Sequence, residues 1–212
     1  MIKRLCLILV SCISLFVTIT GCASNGGLIP GKSTIETKKI YNEYLSIADI
    51  YFGMEKYDKA VEYYKLALNS KENYWGVYYK LARTYTLQSK WNEALPMYET
   101  LLKRDPENNA LKVSIAYIYA MSNETEKAIK TYEELIINNP ENAEYYQNII
   151  AVYLAQKDYE SSVKYFETFR QQFPDNQNGE KLQKEIEKLG KETGAITEEE
   201  KSEETKTEVP EA

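Results

Sequence analysis

The chain has 212 residues, 43 % apolar and 27 % charged, with a mean hydropathy of −0.52, the balance of a soluble globular protein of one or two domains. A formal net charge of −6 and a pI of about 5.0 argue against a nucleic-acid binder, because phosphate neutralisation needs a basic face. There is no histidine, and the three cysteines stand at Cys6, Cys12 and Cys22, which removes imidazole-based catalysis, imidazole zinc sites and any disulfide within the body of the protein.

Met1-Ile2-Lys3-Arg4 is a short cationic start, and Leu5 to Ile19 is a nearly unbroken apolar run of fifteen residues. As a helix that run reaches about 22 Å, short of a ~30 Å hydrocarbon core. Length and flanks therefore predict a secretory signal over 1–21 rather than a stable transmembrane helix. The run ends Ile19-Thr20-Gly21-Cys22, which resembles the lipobox of bacterial lipoproteins. The resemblance implies cleavage before Cys22, thioether lipidation of its sulfur and acylation of the new N-terminus. Two or more buried acyl chains hold a protein on a membrane stably. Loss of Lys3 and Arg4 with the signal leaves 24 basic against 32 acidic residues, a net charge of −8.

Residues 22–33 are rich in Gly, Asn, Ser and Pro and read as a lipidated cysteine followed by a flexible tether. Gly26, Gly31, Lys32 and Ser33 match the spacing of a nucleotide-binding P-loop. That chemistry needs a buried strand to hold the loop rigidly around the phosphates. Only Cys22 to Asn25 would precede it, and Pro30 removes a donor, so no nucleotide is expected. Ser33-Thr34-Ile35-Glu36 fits a capping box, which predicts a helix from about Thr34.

From there a 34-residue period governs the chain. Ala60, Ala94, Ala128 and Ser162 keep this step, as do Tyr51, Tyr85, Tyr119 and Tyr153. Tyr64, Tyr98, Tyr132 and Phe166 follow it, and so do Ile47, Leu81, Ile115 and Ile149. Pro106, Pro140 and Pro174 close three units, with Glu72 in the equivalent place of the first. Within each unit the apolar residues form one stripe on each of two helices. The alanines predict close approach of the two helices of a pair, and Tyr and Leu fill the gap to the next pair.

This layout resembles the tetratricopeptide repeat (TPR). Four units fit, 41–74, 75–108, 109–142 and 143–176, within a repeat region of 34–176. The resemblance implies an all-α, right-handed α-solenoid of four helix pairs with a C-terminal capping helix. The glycine at the family's turn is replaced by Glu55, Ser89, Asn123 and Lys157; only Asn takes a left-handed turn cheaply, so local differences are expected at the others. Pro96 lies early enough in a second helix to be tolerated. Unit four, with Ile150, Ser162 and Phe169, reads as looser than the rest. Leu182, Ile186 and Leu189 place one apolar edge on a charged segment and predict a capping helix over 177–190. Lys191 to Ala212 carries eight Glu against three Lys and no aromatic residue, the composition of an acidic disordered tail.

No acid–base pair, calcium loop or metal cluster stands out, and a lipidated Cys22 is no nucleophile, so neither an enzyme nor a cofactor is expected. The sequon Asn123-Glu124-Thr125 falls at an inter-helix turn and reads as chance. By analogy with the family, the first helix of each pair lines a concave groove. That places Leu45, Asp49, Phe52, Tyr79, Arg83, Val113, Tyr117 and Leu154 on a mostly apolar peptide-binding strip. Most tyrosines occupy packing positions, whereas Tyr79 and Tyr117 are not explained by packing. The Lys/Asn/Arg clamp by which some family members hold acidic C-termini is not reproduced. The expected function is a lipid-anchored scaffold of the bacterial envelope that binds partner protein or peptide segments and helps to assemble envelope complexes. The alternative is a surface-exposed adhesin or host-interacting lipoprotein. Outer membrane and outer face of the cytoplasmic membrane are both open.

Overall fold

The computed structural model describes residues 32–196, with side chains from residue 38 onward. The predicted signal 1–21, Cys22, most of the tether and tail residues 197–212 lie outside the described residues. Among the described residues there are nine helices and no strand. They are α1 (Lys32–Gly53), α2 (Tyr57–Ala67), α3 (Tyr74–Leu87), α4 (Trp91–Arg104), α5 (Asn109–Met121), α6 (Thr125–Asn138), α7 (Ala143–Ala155), α8 (Tyr159–Gln172) and α9 (Gly179–Thr193). Each helix packs chiefly on its neighbours in sequence, the nearest-neighbour pattern of a solenoid. Among the described residues no helix is long and apolar enough to cross a membrane.

Small side chains set the spacing within each pair. Ala60, Ala94, Ala128 and Ser162 are all 0 % exposed, so nothing larger stands between the two backbones. Tyr64, Tyr98 and Tyr132, one helical turn further on, are buried at the seam with the next pair. Pro96 lies inside α4. Its ring nitrogen withholds a hydrogen bond only from the first-turn carbonyl of Asn92, on the solvent side, so the helix runs on unbroken.

The four turns that lack glycine do not differ from one another. Glu55, Ser89, Asn123 and Lys157 all hold left-handed backbone, with φ of 58°, 57°, 65° and 59°. The N–H of the next residue donates back to the carbonyl of the repeating tyrosine in every case: Lys56 to Tyr51, Lys90 to Tyr85, Glu124 to Tyr119 and Asp158 to Tyr153, at 2.8–3.0 Å. This is the long hydrogen bond of a Schellman cap, which requires a left-handed residue between. The cap geometry overrides the cost of the side chain, which corrects the expectation of local differences.

Unit four is not loose either. Ile150, Ser162 and Phe169 are fully buried, because Phe169 and Ile150 pack with Tyr146 against Leu182 and Ile186 of the closing helix. The larger residues fill a space that a following repeat would occupy elsewhere. That helix runs three residues past the predicted end at Gly190, to Thr193, where Gly194 caps it at φ 73°. The chain then folds back: the Ile196 N–H donates to the Gly190 carbonyl at 3.1 Å. At the other end α1 starts at Lys32, two residues ahead of the predicted Thr34. Its Ile50 is 58 % exposed, although the equivalent Thr84, Ile118 and Val152 are buried, since no described repeat precedes it.

Candidate functional site

The first helices of the pairs carry the predicted strip. Asp49, Tyr79, Arg83 and Tyr117 are exposed, the two tyrosines at 37 % and 44 %. Leu45, Phe52, Val113 and Leu154 are half-buried and spend part of their surface against the core. The strip is therefore more polar and more aromatic than apolar residue types alone suggest.

The structure brings three of the eight residues around one pocket of about 240 Å³, lined by Asp49, Phe52, Gly53, Tyr64, Lys80 and Arg83. Helix α1 contributes the first three, α2 contributes Tyr64, and α3 contributes the two cations. Lys80 Nζ donates to both carboxylate oxygens of Asp49, at 2.6 and 2.8 Å. The Tyr64 hydroxyl donates to the same carboxylate at 2.7 Å. Burial, and after it the bond to Asp49, push the Tyr64 phenol well above its ordinary range. The Arg83 guanidinium lies over the Phe52 ring, 5.0 Å from its centre, a cation–π arrangement.

Further along, Tyr79 meets the buried Tyr98 edge-on at 6.0 Å, and Tyr117 meets Trp91 edge-on at 6.2 Å. Burial raises the Tyr98 phenol, while Thr86 and Ser114 beside it pull part of the way back. Leu154 is not part of this cluster: it borders a separate depression with Ala155, Lys157 and Leu189 of the closing helix. Lys80, Tyr64 and Gly53 are pocket residues that sequence reasoning missed. Lys80 stands 31 residues after Asp49, and the same step joins Asn42 to Asn73, Thr125 to Gln156 and Gln147 to Asn178. A search for polar pairs one turn short of the repeat length would have found it. Among the described residues no group of three or more Cys, Asp or Glu side chains is placed to hold a metal ion.

Tetratricopeptide repeat family models match residues 44–74, 86–153 and 144–176. The chain belongs to the tetratricopeptide repeat family. No curated protein matches it. Among solved structures, a tetratricopeptide repeat protein from Parabacteroides merdae is similar with a TM-score of 0.58 at 22 % identity, over 70 % of this chain and 59 % of that one. This chain thus spans less than two thirds of that protein. MamA from Desulfovibrio magneticus RS-1 is similar with a TM-score of 0.57 at 15 % identity, over 65 % of this chain and 77 % of that one. A further MamA structure gives 0.54 at 21 % identity, over 84 % and 98 %. At these identities the likeness is one of fold. A tetratricopeptide solenoid is in general an interaction scaffold: it offers a surface for protein partners rather than a reaction centre.

Proposed function

We propose that this tetratricopeptide protein is a lipid-anchored, non-enzymatic scaffold of a bacterial envelope. Its first helices hold a segment of a partner protein, in the assembly of envelope complexes. The observation that carries the binding reading is the exposure of Tyr79 and Tyr117 on first helices, in a protein whose other repeat tyrosines are largely spent on packing. Aromatic side chains that remain accessible are what peptide-binding surfaces use as anchors. The anchoring reading rests on Ile19-Thr20-Gly21-Cys22 behind a cationic, apolar start, and it places the protein on the outer membrane or on the outer face of the cytoplasmic membrane.

Two measurements test it. Photocrosslinkers at positions 79 and 117 should capture a partner at least several-fold more often than crosslinkers at exposed second-helix positions such as Glu99 and Lys130; equal capture removes the groove reading. Metabolic labelling with an alkynyl fatty acid should mark the protein and lose that mark in Cys22→Ser; labelling that survives the substitution removes the anchor.

A further inference from the structure

The pocket between α1 and α3 carries more information than the strip around it. Asp49 already accepts three hydrogen bonds from inside the protein, from Lys80 on both oxygens and from the Tyr64 hydroxyl. Its charge is balanced by Lys80. Arg83 is different: among the described residues it forms no ion pair; its guanidinium lies over the face of Phe52 and faces only the neutral phenols of Tyr64 and Tyr98 besides. The pocket thus holds one carboxylate and two cations, a surplus of one positive charge. A guanidinium offers a planar fork of N–H donors that matches a carboxylate, and stacking on an aromatic ring keeps the fork oriented.

We propose that this pocket seats a single acidic side chain, Asp or Glu, of the bound segment, and that an aliphatic or aromatic neighbour of that residue lies on Phe52 and Tyr79. The inference deepens the groove reading and rests on it. Size supports one side chain: about 240 Å³ is below the 300–1,000 Å³ of pockets that enclose drug-sized ligands. Gly53 leaves the rim open, since a Cβ built there meets nothing within 4 Å. Tyr79 stands four residues before Arg83 on α3, one turn away on the same face. With only one cation uncommitted, the pocket serves one carboxylate; a chain terminus bearing a second acidic group would leave the second unmatched.

The test is a selection of random dodecapeptides by the full-length chain in detergent, repeated with variants. The wild type should enrich Asp or Glu next to an aromatic or aliphatic residue. Arg83→Glu should enrich Lys or Arg at that place instead. Peptides selected by the wild type should bind Arg83→Gln about tenfold more weakly, the scale of one lost charge-assisted hydrogen bond. Gly53→Met should weaken the same peptides by filling the rim with no change in charge, and it carries the test should Arg83→Glu fail to fold by circular dichroism. Enrichment of aromatic residues with no acidic preference, or an acidic preference unchanged in both variants, overturns the pocket and leaves the groove reading standing. No enrichment of any kind overturns both.

Discussion

Glu55, Ser89 and Lys157 hold a backbone conformation that costs a side-chain-bearing residue roughly 1–2 kcal/mol. Glycine removes that cost but adds about 0.5–1 kcal/mol of unfolded-state entropy. Ser89→Gly and Lys157→Gly should therefore raise stability by about 0.5–1 kcal/mol each, read as a higher melting temperature, while Asn123→Gly should change little because Asn tolerates the left-handed region. The buried tyrosines give a pH dependence with a definite sign. Burial raises the phenols of Tyr64, Tyr98, Tyr132 and Tyr165 above the ordinary value of 10.0. The folded state keeps these protons when the unfolded chain gives them up, so their contribution is fully present below pH 10 and is lost as pH rises above it. Thermal melts from pH 7 to 11.5 should be flat up to about pH 9 and then fall; a melting temperature that holds through pH 11 contradicts this assignment. The turn tyrosines and their 34-residue step are legible in the sequence. That Tyr64 serves both as packing and as a donor to Asp49 is not, because composition does not say where a hydroxyl ends up.

The helix pairs close on positions where no side chain larger than Ser is present. Ala128 is 0 % exposed between α5 and α6. Ala128→Leu should cost about 1–3 kcal/mol through overpacking, whereas the same change at the exposed Ala155 should leave the midpoint of urea unfolding nearly unmoved. Between pairs, polar links recur at a separation of 31: Asn42–Asn73, Asp49–Lys80, Thr125–Gln156 and Gln147–Asn178. A residue of one repeat thus meets a residue one turn earlier on the following repeat, in three of the four cases from a first helix and in one from the start of α6. This is a register property, readable once the repeat length is known. The closing helix shows the opposite case. Its apolar edge of Leu182, Ile186 and Leu189 is plain in the sequence, but of its partners Tyr146, Ile150 and Phe169 the last two look misplaced there, because large residues where the other units keep smaller ones suggest poor packing until the covering helix is seen.

A solenoid is stabilised by contacts between neighbours, so damage at one end should stay at that end. Ile186→Asp puts a charge against Tyr146, Ile150 and Phe169 without a partner, a class of change that costs several kcal/mol. Amide exchange should then speed up across α7 and α8 while α3 and α4 keep their protection; loss of protection in all helices at once would show a single cooperative unit instead. The N-terminal end differs from the C-terminal one. Ile50 on α1 and Met54 in the turn after it are both 58 % exposed, and no counterpart of the closing helix lies against them among the described residues. The proposed groove lies between these unlike ends, with its charged pocket in the first two pairs and its exposed aromatic residues in the second and third.

The residue sequence alone was enough for the period, the pairing of helices and the small-residue seams, but not for every packing tyrosine: Tyr145 is buried outside the repeating tyrosine slots. The first three follow from side-chain volume and hydropathy repeated at a constant step, and each is a local property summed along the chain. Which polar groups cancel one another was decided only when α1, α2 and α3 came together. Tyr64, Lys80 and Arg83 stand 15, 31 and 34 residues after Asp49, and one neutralised carboxylate beside one uncommitted guanidinium is a matter of distances of about 3 Å that spacing in sequence does not carry.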